Sequence, residues 1–263
     1  MIEINKEKCI GCGACVKDCP GKALELKDKK AEYIRKCIQC GHCVAICPVN
    51  AVSIPAYDMA EVEEFDKDSF VLEPGTYLHA VKFRRSIRQF RGAPVEQEKL
   101  ERILSAGRYT ATAKNEQGCR FTLIQKELAE FKERCGKELP GILDGLEEEA
   151  PLDARVFRSF YKKQQENPKE DSIFFNTPAF RVSTAKNVLD AGLAAANIEN
   201  MAVAEGAGVL YSGYTRAVID ASKTLREWLG IGSRTVACCM LIGYPAVSYK
   251  RTAPRKQGNV VIR

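Results

Sequence analysis

Cys9-Ile10-Gly11-Cys12-Gly13-Ala14-Cys15-Val16-Lys17-Asp18-Cys19-Pro20 returns 28 residues later as Cys37-Ile38-Gln39-Cys40-Gly41-His42-Cys43-Val44-Ala45-Ile46-Cys47-Pro48. Each run has the form CxxCxxCxxxCP. The repeat extends past the cysteines, since Ala23 recurs as Ala51, so an internal duplication is present. Eight of the twelve cysteines fall within residues 9–47. Met1–Lys8 carries charge but no apolar signal core, so no export signal is expected and the chain reads as cytoplasmic. Clustered cysteines in that setting point to metal rather than to disulfides.

The spacing has a chemical reason. Three cysteines, with two residues between each and the next, wrap one corner of an iron–sulfur cubane, with Gly13 and Gly41 allowing tight turns that aim amides at sulfur. The fourth cysteine, just before proline, starts a segment that leaves and ligates the other cluster. One [4Fe–4S] cluster is therefore expected on Cys9, Cys12, Cys15 and Cys47, and a second on Cys37, Cys40, Cys43 and Cys19. A pair of zinc sites is the alternative, but zinc ribbons use two CxxC pairs across a longer loop. Ala23–Leu26 and Ala51–Ile54 read as strands closing the two halves. Residues 1–56, with all eight ligands present, resemble the bacterial two-cluster ferredoxins.

The rest of the composition is ordinary for a globular chain: 45% hydrophobic and 28% charged residues over 263 positions. The formal charge is +6. No nucleic-acid recognition motif accompanies it, and thiolate-bound clusters and a bound phosphate would subtract from it, so no nucleic-acid partner is expected. No window approaches the roughly 18 apolar residues of a membrane span. His42 and His79 are poor ligand candidates, because the cysteines already complete both sites. Cys238 and Cys239 read as core, and Cys135 as buried filler near a helix end.

Residues 57–76 are acidic and then turn-like, ending in Pro74-Gly75, and read as a linker. Beyond it, Arg84-Arg85-Ser86-Ile87-Arg88 offers guanidinium forks beside a hydroxyl, suited to phosphate or to an electron-rich carbonyl. A helix end with surface arginines would look the same. Leu100, Ile103, Leu104 and Gly107 have helical spacing, and Arg120–Ile124 reads as a strand. An Ala- and Gly-rich helix is expected from Asn187 to Gly206, another near 216–229, and a buried strand over Thr235–Gly243. Residues 139–175 hold Glu147-Glu148-Glu149, Phe157, Phe160, Tyr161 and an acidic stretch at Glu166–Asp171, and read as a helical insertion.

Residues 77–263 look like the nitroreductase family of flavin mononucleotide (FMN) enzymes. The resemblance is carried by Arg84–Arg88, Asn115-x-Gln117, the Asp190–Asn197 helix, the Gly206–Gly213 turn, and Gly243-Tyr244-Pro245 before a basic tail. It implies an α+β fold, a central sheet flanked by helices, behind the small ferredoxin-like domain. It implies FMN bound at the interface of a homodimer. Arg84, Arg85, Ser86 and Arg88 would hold the phosphate, ribityl chain or ring edge. Asn115 and Gln117 would meet the ring. Ser212 and Gly213 would present a backbone amide to flavin N5, and Arg251 and Arg255 would take the phosphate. No protein acid, base or nucleophile is required, because the cofactor carries the redox chemistry.

The combined expectation is an oxidoreductase in which two clusters pass electrons to FMN and on to a nitroaromatic, quinone or activated alkene. The donor would be a reduced ferredoxin-like protein or NAD(P)H. The competing expectation is an electron carrier whose FMN links one- and two-electron partners without turning over a small molecule.

Overall fold

The computed structural model describes residues 1–149, 151–167 and 170–263. The chain divides into two compact units. One comprises residues 1–71 together with 112–116, and the other residues 72–111 and 117–263.

In the first unit the duplication becomes two half-sites with different closures. Strand β1 (Glu3–Ile4) precedes the first cysteine run, and helix α1 (Ala14–Asp18) lies inside it. Strands β2 (Leu24–Lys27) and β3 (Lys30–Tyr33) follow as an antiparallel hairpin. Its turn uses Asp28 and Lys29 at φ 48 and 59. Helix α2 (His42–Ala45) lies inside the second run, and β4 (Val52–Ser53) pairs antiparallel with β1. Both expected strands therefore form, each with a partner that the alternation did not foretell. The core is Ile2, Leu24, Ala31, Ala51, Val52 and Ile54, packed around cysteine side chains. Within the expected linker, Met59–Glu61 forms a 3-10 turn that Asp58 caps by accepting from the Ala60 N–H at 2.9 Å.

The second unit opens with α3 (Pro74–Phe83), whose first turn is capped by the Glu73 carboxylate. Pro at the first helical position suits that start, because its missing N–H would have been an orphan. Then come α4 (Gln97–Arg108), β5 (Arg120–Ile124), α5 (Leu128–Glu149), α6 (Pro151–Glu166) and β6 (Ala179–Thr184). They are followed by α7 (Val188–Ala204), β7 (Gly208–Tyr211), α8 (Gly213–Ala221), α9 (Lys223–Trp228) and β8 (Val236–Gly243). The strands form one antiparallel sheet in the order β5-β6-β8-β7.

Helices cover both faces of this sheet, so its central strands are apolar or small apart from Arg181 of β6. On one face Phe180, Val182, Cys239 and Leu241 meet Phe131 of α5 and Ile219 of α8. On the other, Ala179, Met240 and Ile242 meet Ile103 of α4 and Ala195, Ile198 and Ala202 of α7. The cap and stop of α7 are visible in the sequence. The Asn187 side chain accepts from the Leu189 N–H at 3.0 Å, and Gly206 stands at φ 74 while Ala207 N–H donates back to Ala202.

Two expectations are corrected here. The helix near 216–229 is two helices. Ser222 divides them because its hydroxyl caps α9, accepting from the Leu225 N–H at 3.1 Å. Cys135 lies well inside α5 rather than near a helix end, and it is buried. Within the 139–175 stretch, α5 runs on to Glu149 and α6 spans Pro151–Glu166, with turns at 172–176, and Leu139, Phe157 and Phe174 join the core. The side chains of Glu147–Glu149 and all of residues 168–169 lie outside the described residues. Among the described residues no helix is long and apolar enough to cross a membrane.

Candidate functional site

In the first unit the cysteines sort into two cavities. Cys9, Cys12, Cys15 and Cys47 line one. Cys19, Cys37, Cys40 and Cys43 line the other. Each cavity thus draws three cysteines from one run and the last cysteine of the opposite run. The electrostatics agree. Burial pushes the Cys15 thiol up, and the next contributor is Cys47, far away in sequence, followed by Cys9 and Cys12. Burial also pushes Cys43 up to about 11, with Cys37 and Cys40 adding to it. Several like groups crowded into an apolar pocket can be deprotonated together only if a cation pays the electrostatic cost.

Local backbone geometry serves the sulfurs. Gly13 and Gly41 stand at φ 72 and 80 at the starts of α1 and α2, a conformation glycine adopts freely. Ala23 N–H donates to Cys19 Sγ and Ala51 N–H to Cys47 Sγ, each at 3.2 Å. The recurrence of Ala23 as Ala51 therefore has a structural role. Gln39 N–H donates to Cys37 Sγ at 3.2 Å and Ala31 N–H to Cys9 Sγ at 3.5 Å. The Ala31 and Gly11 amides hold the Cys9 thiol below its usual range.

Among the described residues, no three His, Cys, Asp or Glu side chains close around a single ion. Each quartet lines its own cavity. Four cysteines around one cavity match the four iron corners of a cubane. The donor set and the N–H···S bonds fit iron–sulfur clusters. His42 is exposed on α2 and His79 on α3.

In the second unit the arginine segment lies along the free edge of the sheet. Ser86 forms a parallel bridge with Val209 of β7, and Ile87 N–H donates to Val209 O at 3.0 Å. Strand β7 runs directly into Ser212 and Gly213, so two expected flavin elements meet on one strand. Arg84, Arg85 and Ser86 are half-buried, and Arg88 is exposed. Arg84 Nη1 donates to Glu199 Oε1 of α7 at 3.1 Å. Ser212 caps α8, its hydroxyl accepting from Thr215 N–H at 3.3 Å, and its own N–H donates to Cys239 O at 2.9 Å. Gly213 is the first residue of α8 and faces open space.

The other candidate residues lie on the loop before β5 and on the tail. Asn115 belongs to the cysteine-bearing unit, where its amide donates to Ile38 O at 3.1 Å and Gln39 O at 2.9 Å. What Asn115 has left to offer a flavin is Oδ1, not its N–H pair. Gln117 adopts φ 48 just ahead of β5. Arg251 and Arg255 are exposed on the tail after β8, and Arg255 Nη1 donates to its neighbour Pro254 O at 3.4 Å.

Sequence reasoning missed Glu199, Tyr211 and Arg181. Glu199 is buried on the Ala-rich face of α7, where burial pushes its carboxyl up while Arg84 and the Tyr211 hydroxyl pull it down. A lone glutamate among the small residues of a central helix was the available signal. Burial and then Glu199 push the Tyr211 hydroxyl up. Arg181 of β6 is fully buried, over the Phe121 ring at 5.1 Å and bonded to the Ser183 hydroxyl, with Nε and Nη1 unpartnered. Nothing in a short β-strand pattern signals such an arginine. The insertion also reaches this region: Phe157 and Phe160 of α6 meet the Tyr214 ring edge-on at 4.9 and 5.2 Å, beside Gly213.

A model of the nitroreductase family matches residues 81–244, and a model of the 4Fe–4S dicluster domain matches residues 1–48. Among solved structures, the chain resembles a nitroreductase with bound FMN from Desulfitobacterium hafniense DCB-2. That match has TM-score 0.57 and 19% identity, over 71% of this chain and 98% of the other. A nitroreductase with bound FMN from Bacteroides fragilis NCTC 9343 matches with TM-score 0.58 and 20% identity, again over 71% and 98%. An FMN-dependent nitroreductase from Clostridium difficile R20291 matches with TM-score 0.54 and 17% identity, over 72% and 100%. These identities speak to the fold. No curated protein matches the chain in sequence.

Proposed function

Since this chain belongs to the nitroreductase family, as an FMN-dependent oxidoreductase with an N-terminal 4Fe–4S dicluster domain, we propose that two clusters in that domain feed electrons singly to the flavin for reduction of a small acceptor. Nitroaromatics, quinones and activated alkenes are the acceptor class. The observation that carries this reading is the pair of cavities, each lined by four cysteines and each drawing one cysteine from the opposite run. A domain that supplies two complete ligand sets is suited to one-electron transfer, which direct hydride reduction of a flavin does not need.

In this proposal Cys9, Cys12, Cys15 and Cys47 hold one [4Fe–4S] cluster and Cys19, Cys37, Cys40 and Cys43 the other. Bound FMN supplies the conversion between one-electron input and two-electron output. The chain's own residues bind and orient it. Arg84, Arg85, Ser86 and Arg88 bind along the β7 edge, with Arg84 held in place by Glu199. Because the Ser212 N–H already donates to Cys239, Gly213 supplies the amide to flavin N5. Arg251 and Arg255 close on the phosphate from the tail, and Gln117 lies at the ring. The FMN sites belong to a cytoplasmic homodimer, and the exposed apolar residues Leu78, Val81, Leu189 and Leu193 on α3 and α7 support that assembly. The electron donor is a reduced ferredoxin-like protein or NAD(P)H.

Anaerobic purification followed by iron, sulfide and flavin quantitation tests the inventory. About eight irons and about one FMN per chain are expected. The wiring is tested by reducing the clusters with dithionite and following the flavin absorbance. Clusters that reduce while the bound flavin stays oxidised would overturn the electron route. Absence of turnover across a panel of nitro compounds and quinones would favour a pure electron carrier.

A further inference from the structure

We propose that Asn115 is a positioning residue for the second cysteine loop, holding the peptide that aims an N–H at Cys37 and so setting the potential of the cluster bound there. The proposal rests on the two-cluster reading above.

The peptide joining Ile38 to Gln39 is planar, so its C=O and N–H point in opposite directions. The N–H donates to Cys37 Sγ at 3.2 Å. The C=O accepts from Asn115 Nδ2 at 3.1 Å, and the next carbonyl, Gln39 O, accepts from the same nitrogen at 2.9 Å. Two carbonyl acceptors require the nitrogen of the amide, not its oxygen, on that side. Fixing the Ile38 oxygen therefore fixes the direction of the hydrogen that meets the sulfur.

The first half of the repeat explains the need for a support from outside. There the corresponding residue is Gly11 at φ 69, and its N–H likewise serves Cys9. Glycine takes this left-handed conformation without a steric cost. The β2–β3 hairpin also braces that loop: Lys30 Nζ donates to Cys9 O at 2.5 Å and Ala31 N–H to Cys9 Sγ at 3.5 Å. In the second loop Gln39 stands at φ 52. A residue with a β-carbon keeps that conformation only when its surroundings hold it. Asn115 braces the second loop through Ile38 O and Gln39 O, as the hairpin braces the first through Cys9.

Asn115 is itself anchored. Its N–H donates to Thr112 O at 3.0 Å, and Glu116 N–H donates to Ala113 O at 3.1 Å. Its own φ of 55 is one that asparagine tolerates better than most residues. The Tyr57 Oη lies 3.5 Å from the same amide nitrogen. Hydrogen bonds to cluster sulfurs stabilise the more negative, reduced state and raise the potential. The 112–116 segment of the cysteine-bearing unit thus tunes a cluster whose ligands precede it in sequence.

The test uses the full chain, purified anaerobically with its cofactors and titrated redox-wise by low-temperature electron paramagnetic resonance. For Asn115→Ala, one cluster potential shifts downward while the other holds, and the FMN content matches the unsubstituted protein. Adding Gln39→Gly restores part of the shift, because glycine keeps the left-handed turn unaided. Two unchanged potentials, or equal shifts in both, overturn the proposal. Loss of FMN with unchanged potentials overturns it in favour of a flavin contact. If Asn115→Ala loses one cluster outright, recovery of that cluster by Gln39→Gly supports the proposal and no recovery overturns it. An unsubstituted protein without iron and sulfide would instead remove the two-cluster reading itself.

Discussion

Glu199 Oε1 accepts a hydrogen bond from Arg84 Nη1 at 3.1 Å, across 115 residues of sequence. The glutamate side chain is 9% exposed and the arginine 28%, so the carboxylate carries most of the burial. Burial holds its pKa above the usual 4.5, and Arg84 opposes that rise. Between 4.5 and the raised value the folded chain binds more protons than the unfolded chain. Stability therefore falls as pH rises through that window and is flat above it. Glu199→Gln is expected to remove the decline. Glu199→Ala, which strips Arg84 and Tyr211 of their acceptor, is expected to cost about 1–3 kcal/mol. Urea melts from about pH 5 to about pH 8, followed through Trp228, the chain's single tryptophan, check both. A parallel decline in the Gln variant would assign the effect to another group.

The bridge between Ser86 and β7 depends on Gly208. A β-carbon there would stand 2.4 Å from Ile87 Cγ1 and 3.1 Å from Pro245 Cγ. Gly208→Ala is expected to destabilise the second unit by about 1–3 kcal/mol and to lower FMN content, because the arginine segment must move off the strand. Ile87→Ala removes the nearer clash, so the double variant is expected to be more stable than the sum of the two single losses. Strict additivity in that cycle would show that the two residues do not collide.

The cysteine spacings were legible because ligand geometry dictates them before any tertiary contact forms. The strands Arg120–Ile124 and Val236–Gly243 and the helix ending before Gly206 were legible for a similar reason, since hydrophobic period and turn chemistry are local. The partners were not. Strand β6 reads Ala-Phe-Arg-Val-Ser-Thr and is buried at every position, so the polar residues that break its pattern mark a buried site and not a surface. Ser222 looked like one more helical residue until its hydroxyl proved to cap α9. The Asn115 amide bonds Ile38 O and Gln39 O from far along the chain, a pairing no local pattern encodes. Glu199 acquires its meaning only from Arg84 and Tyr211, which reach it from other elements.

The crossed cavities make a comparison between substitutions that are distant in sequence. Cys47 lines the cavity of Cys9, Cys12 and Cys15, and Cys19 lines that of Cys37, Cys40 and Cys43. Cys47→Ala and Cys12→Ala are therefore expected to damage the same cluster and leave the same survivor, with iron falling from about eight toward about four per chain. Cys19→Ala and Cys40→Ala are expected to share the other signature. Electron paramagnetic resonance of the four dithionite-reduced variants distinguishes the pairs. If Cys47→Ala instead groups with Cys40→Ala, each run ligates its own cluster and the crossing is wrong.

On α7, Leu189 and Leu193 stand one turn apart, 66% and 47% exposed, while the opposite side of the helix packs on the sheet. Neighbouring α3 adds exposed Leu78, Val81 and Phe83, and Asn200 of α7 reaches the Tyr77 hydroxyl at 3.4 Å. Burying one leucine contributes about 1.5–3 kcal/mol. If the proposed homodimer packs through this face, its two-fold axis makes each substitution act twice, so Leu189→Glu is expected to weaken association by about a hundredfold or more, adding the cost of burying two carboxylates. Leu189→Ala is expected to weaken it less. Neither touches the sheet core, so the monomer should stay folded by circular dichroism. Sedimentation equilibrium over a dilution series measures the effect. A Glu variant that remains dimeric at the same concentrations would move the interface to another face.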